Sequence, residues 1–134
     1  MKRNQLHILI FPLLFSTILH AQILNTEVKA KIELSYFEEM VSVTGTAENL
    51  DDGMKNLSYT LSVIKKNKQT TNTSNNSQNG EFTLNPNEKK ILSTTKINQS
   101  TKDEIIILLL IYDDNDVMVG KDRIIVEEKK NEDL

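Results

Sequence analysis

The chain has 134 residues, 26% of them charged and 5% aromatic, with a formal net charge of −3 and neither cysteine nor tryptophan. That length suits one compact domain and is too short for two. Disulfide scaffolding, thiol nucleophiles and cysteine-ligated metals are excluded.

Lys2 and Arg3 precede an apolar run over residues 6–19, broken by His7, Pro12, Ser16 and Thr17, and Ala21 then offers a small residue before Gln22. A charged start, a short apolar stretch and a small residue at the junction read as a secretory signal peptide, residues 1–21. About 14 positions fall short of the roughly 20 that a membrane span needs. The expected fate is therefore export, without stable membrane insertion once the signal is removed. Both histidines, His7 and His20, lie in that segment. The exported chain would lack the usual general base near neutral pH, and a Ser-His-Asp triad would be impossible. A carboxylate pair or Ser-Lys dyad stays open, but no spacing singles one out. The expectation is a protein that is not an enzyme, with no catalytic residues, cofactor or metal site.

The strand signals follow in chain order. Val28, Ala30, Ile32, Leu34 and Tyr36 alternate with Lys29, Lys31, Glu33 and Ser35, the period of a half-buried strand. Val41, Val43, Gly45 and Ala47 repeat the pattern before a turn at Asp51-Asp52-Gly53. Leu57, Tyr59, Leu61 and Val63 make the next strand. Lys65, Lys66 and Lys68 then lead into a polar tract, residues 69–79, with no apolar or acidic residue. Between strand signals, such a tract is either a disordered connection or a polar ribbon at a sheet edge. Thr70, Thr71 and Thr73 favour the ribbon. Phe82 and Leu84 close it at strand spacing, ahead of a turn at Asn85-Pro86-Asn87.

Residues 105–112 form an unbroken apolar run, the mark of a central strand covered on both faces or packed at an interface. Asp113, Asp114, Asn115 and Asp116 are dense in oxygen ligands, as a calcium loop would be. The rest of an EF-hand pattern is missing, and these are ordinary residues of a tight turn, so the turn is preferred. Val117, Val119, Ile124 and Val126 supply the last strand. About seven short strands punctuated by turns predict an all-β, two-sheet sandwich over residues 22–127, with 128–134 as a charged, frayed tail. Four Asn-x-Ser sequons, at Asn56, Asn72, Asn75 and Asn98, are read as chance products of an Asn- and Ser-rich composition.

Charge is unevenly spread. Residues 22–53 carry two basic and seven acidic side chains, residues 54–102 eight basic and two acidic, and residues 103–134 four basic and ten acidic. The middle third is a basic island. It is either a solvated face with edge-protecting lysines or a surface that steers an acidic extended partner, with a strength that falls in salt. Nucleic acid is not an expected partner, since only Tyr59 and Phe82 offer stacking there.

One segment carries a resemblance. A strand, basic residues, a Ser/Thr/Asn/Gln tract ending in Ser77-Gln78-x-Gly80, then Phe82-Thr83-Leu84 and Asn85-Pro86-Asn87-Glu88 occur in that order. Together with residues 91–97, 103–112 and 113–116, this resembles the CsgC/CsgH family of periplasmic curli chaperones, and the CsgH branch more closely, over roughly residues 57–126. The resemblance implies an immunoglobulin-like β-sandwich of about seven antiparallel strands. It also implies an inhibitor that keeps Ser-, Gln-, Asn- and Gly-rich curli subunits from forming amyloid before export. The Cys-x-Cys pair of the CsgC branch is absent, so a redox role is excluded. The implied partner is the unfolded or nascent β form of such a subunit, and the chain is expected to act as a monomer. The candidate contact residues are Lys65, Lys66, Lys68, Thr71, Thr73, Ser77, Gln78 and Gly80. The rival expectation is a secreted immunoglobulin-like module that binds carbohydrate or a cell-surface protein, with Tyr36, Phe37 and Tyr112 as its best aromatic contacts.

Overall fold

Alternating apolar residues become strands because one face of each pleat then enters a shared core. The computed structural model describes residues 23–126, so the signal segment and the tail 128–134 lie outside the described residues. Within that span there are seven strands: β1 (Val28–Phe37), β2 (Met40–Asn49), β3 (Lys55–Asn67), β4 (Thr73–Leu84), β5 (Lys89–Asn98), β6 (Asp103–Asp113) and β7 (Met118–Val126). They form two antiparallel sheets, ordered β1-β2-β5 and β4-β3-β6-β7. The described chain is an all-β sandwich, as the strand rhythm predicts, and the turn preferred for residues 113–116 is present. Asp113 Oδ1 accepts from the backbone N–H of Asn115 at 2.9 Å and of Val117 at 3.0 Å.

The core lies between the sheets. Val28, Ala30 and Ile32 of β1, Val41, Val43 and Ala47 of β2, and Leu57, Leu61 and Val63 of β3 meet Ile105, Ile107, Leu109 and Ile111 of β6. Each fully buried aliphatic chain contributes roughly 1.5–3 kcal/mol. Asn49 is a buried polar hub. Its amide donates to Gly53 O at 2.7 Å and Asn85 O at 3.1 Å, while its Oδ1 accepts from Asp51 N at 3.0 Å. These bonds tie the loop after β2 to the end of β4.

The apolar run of β6 behaves differently from its simplest expectation. Its odd-numbered residues face sheet β1-β2-β5 and are fully buried. Ile106, Leu108, Leu110 and Tyr112 point the other way and are only half-buried. Among the described residues one face of β6 is covered, and the other forms an apolar stripe on the outer surface.

Candidate functional site at the open edge of the four-stranded sheet

The polar tract is neither a loop nor wholly a strand. Asn67 Oδ1 accepts from the N–H of Gln69 at 2.9 Å and of Thr70 at 3.0 Å, which bends the chain directly after β3. Asn67 N–H then donates to Asn72 O at 3.0 Å, and β4 runs back along β3 from Thr73. Its other side has no neighbour in the sheet, which makes β4 an edge strand. That is why Ser, Asn and Gln suffice there.

Register decides which groups are available. Lys66 stands opposite Thr73, and Asn67 and Asn72 are hydrogen-bonded. Hydrogen-bonded pairs in an antiparallel ladder recur at every second residue. Ser74, Asn76, Gln78, Gly80, Phe82 and Leu84 therefore exchange bonds with β3, whereas Thr73, Asn75, Ser77, Asn79, Glu81 and Thr83 direct theirs outward. Lys90 Nζ donates to Thr83 O at 2.7 Å. Among the described residues, no hydrogen bond reaches the outward N–H of Thr73, Asn75, Ser77, Asn79 or Glu81.

The structure separates the eight candidate contact residues. Thr73 and Ser77 lie on the outward set, and Ser77 Oγ is 3.3 Å from Ser62 Oγ. Lys66 shares their sheet face, between Thr73 and Glu104 in the register. Lys68 and Thr71 sit in the turn ahead of β4, so neither belongs to the ladder. Lys65 points inward, donating to Asn98 O at 3.3 Å and pairing with Asp103 Oδ2 at 3.2 Å. The Asp103 side chain is only 9% exposed, so that lysine is structural. Gln78 also faces inward and accepts a hydrogen bond from the Ser93 hydroxyl. Gly80 lies against Tyr59, where an added Cβ would come within 3.1 Å of Cε1, and the Tyr59 hydroxyl donates to Leu92 O at 3.1 Å. Gln78 thus bridges to β5 and Gly80 leaves room for the Tyr59 ring, and both spend their main-chain groups on β3 and not on the open edge. Asn75, Asn79 and Glu81 belong to it and were missed. Parity with the inward Leu61 and Val63 is the signal that finds them, once the turn fixes the register.

From Thr73 to Gly80 the edge carries no charge. Lys66 and Lys68 stand at its start. At its far end Glu81 shares a shallow depression with Asp113, Asp114 and Asp116. The edge is therefore neutral along its length and oppositely charged at its ends. Such a ladder can hydrogen-bond an added extended chain, main chain to main chain. Among the described residues no group of three His, Cys, Asp or Glu is disposed to hold a metal ion. The aromatic candidates of the rival reading do not converge. Phe37, 73% exposed, and Tyr36 sit at the β1–β2 hairpin, beside the end of β5, whereas Tyr112 pairs with Ser58 at the opposite end of the sandwich.

The sequence matches no family model, and no curated protein matches it. Solved structures do match. The E. coli curli protein CsgC is similar with a TM-score of 0.58 at 11% identity, over 72% of this chain and 96% of its own. CsgH of R. palustris gives a TM-score of 0.52 at 21% identity, over 70% of this chain and 89% of its own. Both share this chain's fold. A β-glucuronidase of Bacteroides uniformis also matches, with a TM-score of 0.54 at 7% identity, over 75% of this chain but 14% of the enzyme. A sandwich of this kind serves chains of unlike purpose, so function has to be argued from the site.

Proposed function

We propose that this chain is a periplasmic, non-enzymatic chaperone that delays amyloid formation by a curli-type subunit, engaging it through the outward edge of β4. The observation that supports this best is the unoccupied ladder from Thr73 to Glu81, on a fold shared with a curli protein along nearly its whole length. A nascent subunit strand would add to β4 as a transient fifth strand. The main chain would supply the affinity, and the side chains of Thr73, Asn75, Ser77 and Asn79 would tolerate a Ser-, Asn- and Gln-rich partner. Lys66 and Lys68 would raise the encounter rate with an acidic chain, most strongly at low salt. The bound strand would be held away from its own kind in a register set by β4, which denies it the in-register stacking that fibres require.

Backbone and side-chain recognition are separable by mutation. Ser77→Pro and Thr73→Pro each remove an outward donor and no internal ladder bond, and proline is tolerated at such edge positions. Ser77→Ala and Thr73→Ala keep the donor. In a thioflavin-T assay with the cognate subunit, the proline variants should stay folded by circular dichroism and let the lag time fall towards its chaperone-free value. The alanine variants should delay fibrillation like the parent. Equal loss from alanine and proline would mean side-chain recognition, and full inhibition by the proline variants would remove the edge from the mechanism.

A further inference from the structure

The β4 edge is complementary to itself. Its start is basic through Lys66 and Lys68, its middle is uncharged, and its end is acidic through Glu81 beside Asp114 and Asp116. A two-fold axis through Ser77, perpendicular to the sheet, sets two such edges antiparallel. Ser77 then meets Ser77 of a second copy, Asn75 meets Asn79, and Thr73 meets Glu81. These are the outward-directed residues, so every free N–H and C=O from Thr73 to Glu81 finds a partner. On the outer face Glu81 comes to lie across Thr73 from the other copy's Lys66, within reach of the two long side chains. The Asn75 and Asn79 amides stand side by side.

We infer that this chain forms a reversible antiparallel homodimer through β4, which joins the two four-stranded sheets into one of eight strands. The dimer departs from the monomer expected from sequence. It also resolves a hazard. An edge with no charge, proline or bulge over eight residues is a template for open-ended pairing, but an isologous pair consumes both copies' edges and closes. An edge pair buries little surface, so association is weak and concentration-dependent. The dimer would hide the edge assigned above to the subunit, so chaperone capacity would reside in the monomer. The inference uses that edge but does not rest on the chaperone reading.

The absence of cysteine makes the test clean. Under mild oxidation the exported protein carrying Ser77→Cys should become a disulfide-linked dimer, because the paired Cα atoms lie within bridging range. Thr44→Cys, on the outer face of the other sheet, should not. In sedimentation velocity the unmodified protein should shift from monomer to dimer with concentration. Glu81→Lys should weaken dimerisation roughly tenfold, and adding Lys66→Glu and Lys68→Glu to it should restore dimerisation. A protein that stays monomeric at millimolar concentration, or a dimer indifferent to Glu81→Lys and linked equally well through Thr44→Cys, would overturn the inference. The fibrillation assay keeps the two ideas apart. A strict monomer that inhibits fibrils ends the dimer alone, and a dimer that never inhibits ends the chaperone reading alone.

Discussion

The sandwich has two flanks where its sheets end, and it treats them in opposite ways. On the β1/β7 flank side chains take up several of the outward groups. Asn25 Oδ1 accepts from the N–H of Ala30 and of Lys121, both at 3.1 Å, its amide donates to Lys121 O at 2.8 Å, and Asp122 Oδ2 accepts from Ile32 N at 2.7 Å. Gly120 permits the close approach, since a Cβ there would lie 3.2 Å from Val28 O. On the β4 flank the equivalent donors are left unoccupied. Asn25 and Asp122 close part of the first flank, whereas the long β4 edge stays open to pairing with another extended chain. Stability resides on the first flank and availability on the second.

That contrast breaks most sharply at adjacent residues of β4. Asn76 bonds to β3, whereas Ser77 directs its N–H and C=O outward without a partner strand. Asn76→Pro should cost ~3 kcal/mol or more, whereas Ser77→Pro should change stability by ~1 kcal/mol at most, read by urea denaturation. Similar costs at both positions would show that β4 is not an edge. Next in size is the sealed flank. Asn25→Ala loses three hydrogen bonds and leaves alanine at a φ of 59°. We expect a loss of about 2–3 kcal/mol and new self-association through β1 and β7. A loss without aggregation would mean that the seal serves stability alone.

The basic island sharpens the comparison further. Lys65→Glu sets a second carboxylate against the nearly buried Asp103 and should cost about 1–2 kcal/mol. Lys66→Glu should leave the midpoint of unfolding nearly unchanged while shortening the thioflavin-T lag at low salt. Equal destabilisation by both changes would assign the whole island to folding.

The smallest effect expected is with pH. Hydrogen bonding to Lys89, at 3.3 Å, holds the Glu33 carboxyl below its ordinary value. The N–H of Asp52, followed by Lys55, does the same for Asp51. Both carboxylates bind protons less readily when folded, so their contribution is complete above the ordinary carboxylate range, near pH 4, and is lost as pH falls through the depressed values. Glu33→Gln and Asp51→Asn should therefore flatten the acid limb of the stability profile slightly, leaving neutral pH almost untouched. A steeper acid limb in either variant would reverse that sign.

Much of the fold was legible because period-2 alternation is a local signal. Val28 to Tyr36, Val41 to Ala47 and Leu57 to Val63 state their inward faces directly, and the Asp-rich turn before β7 states its own chemistry. What escaped was non-local. The tract 69–79 has no apolar residue to declare a face, so its division into turn and strand depends on Asn67 bonding back to Asn72. The Ser77-Gln78-x-Gly80 motif looks like one surface in sequence, yet parity sends Ser77 out and Gln78 and Gly80 in. Lys65 resembles Lys66 until Asp103 is brought beside it. The run 105–112 is apolar on both faces, but nothing in it reveals that one face stays open.

Amide hydrogen exchange along β4 tests the central claim most directly. At a concentration where the chain is monomeric, the amides of Ser74, Asn76, Gln78 and Gly80 should exchange slowly, and those of Thr73, Asn75, Ser77, Asn79 and Glu81 fast. Adding the curli-type subunit should slow the second set and leave the first unchanged. Protection that ignores this alternation, or that appears on the β1/β7 flank with β4 unaltered, would contradict edge pairing.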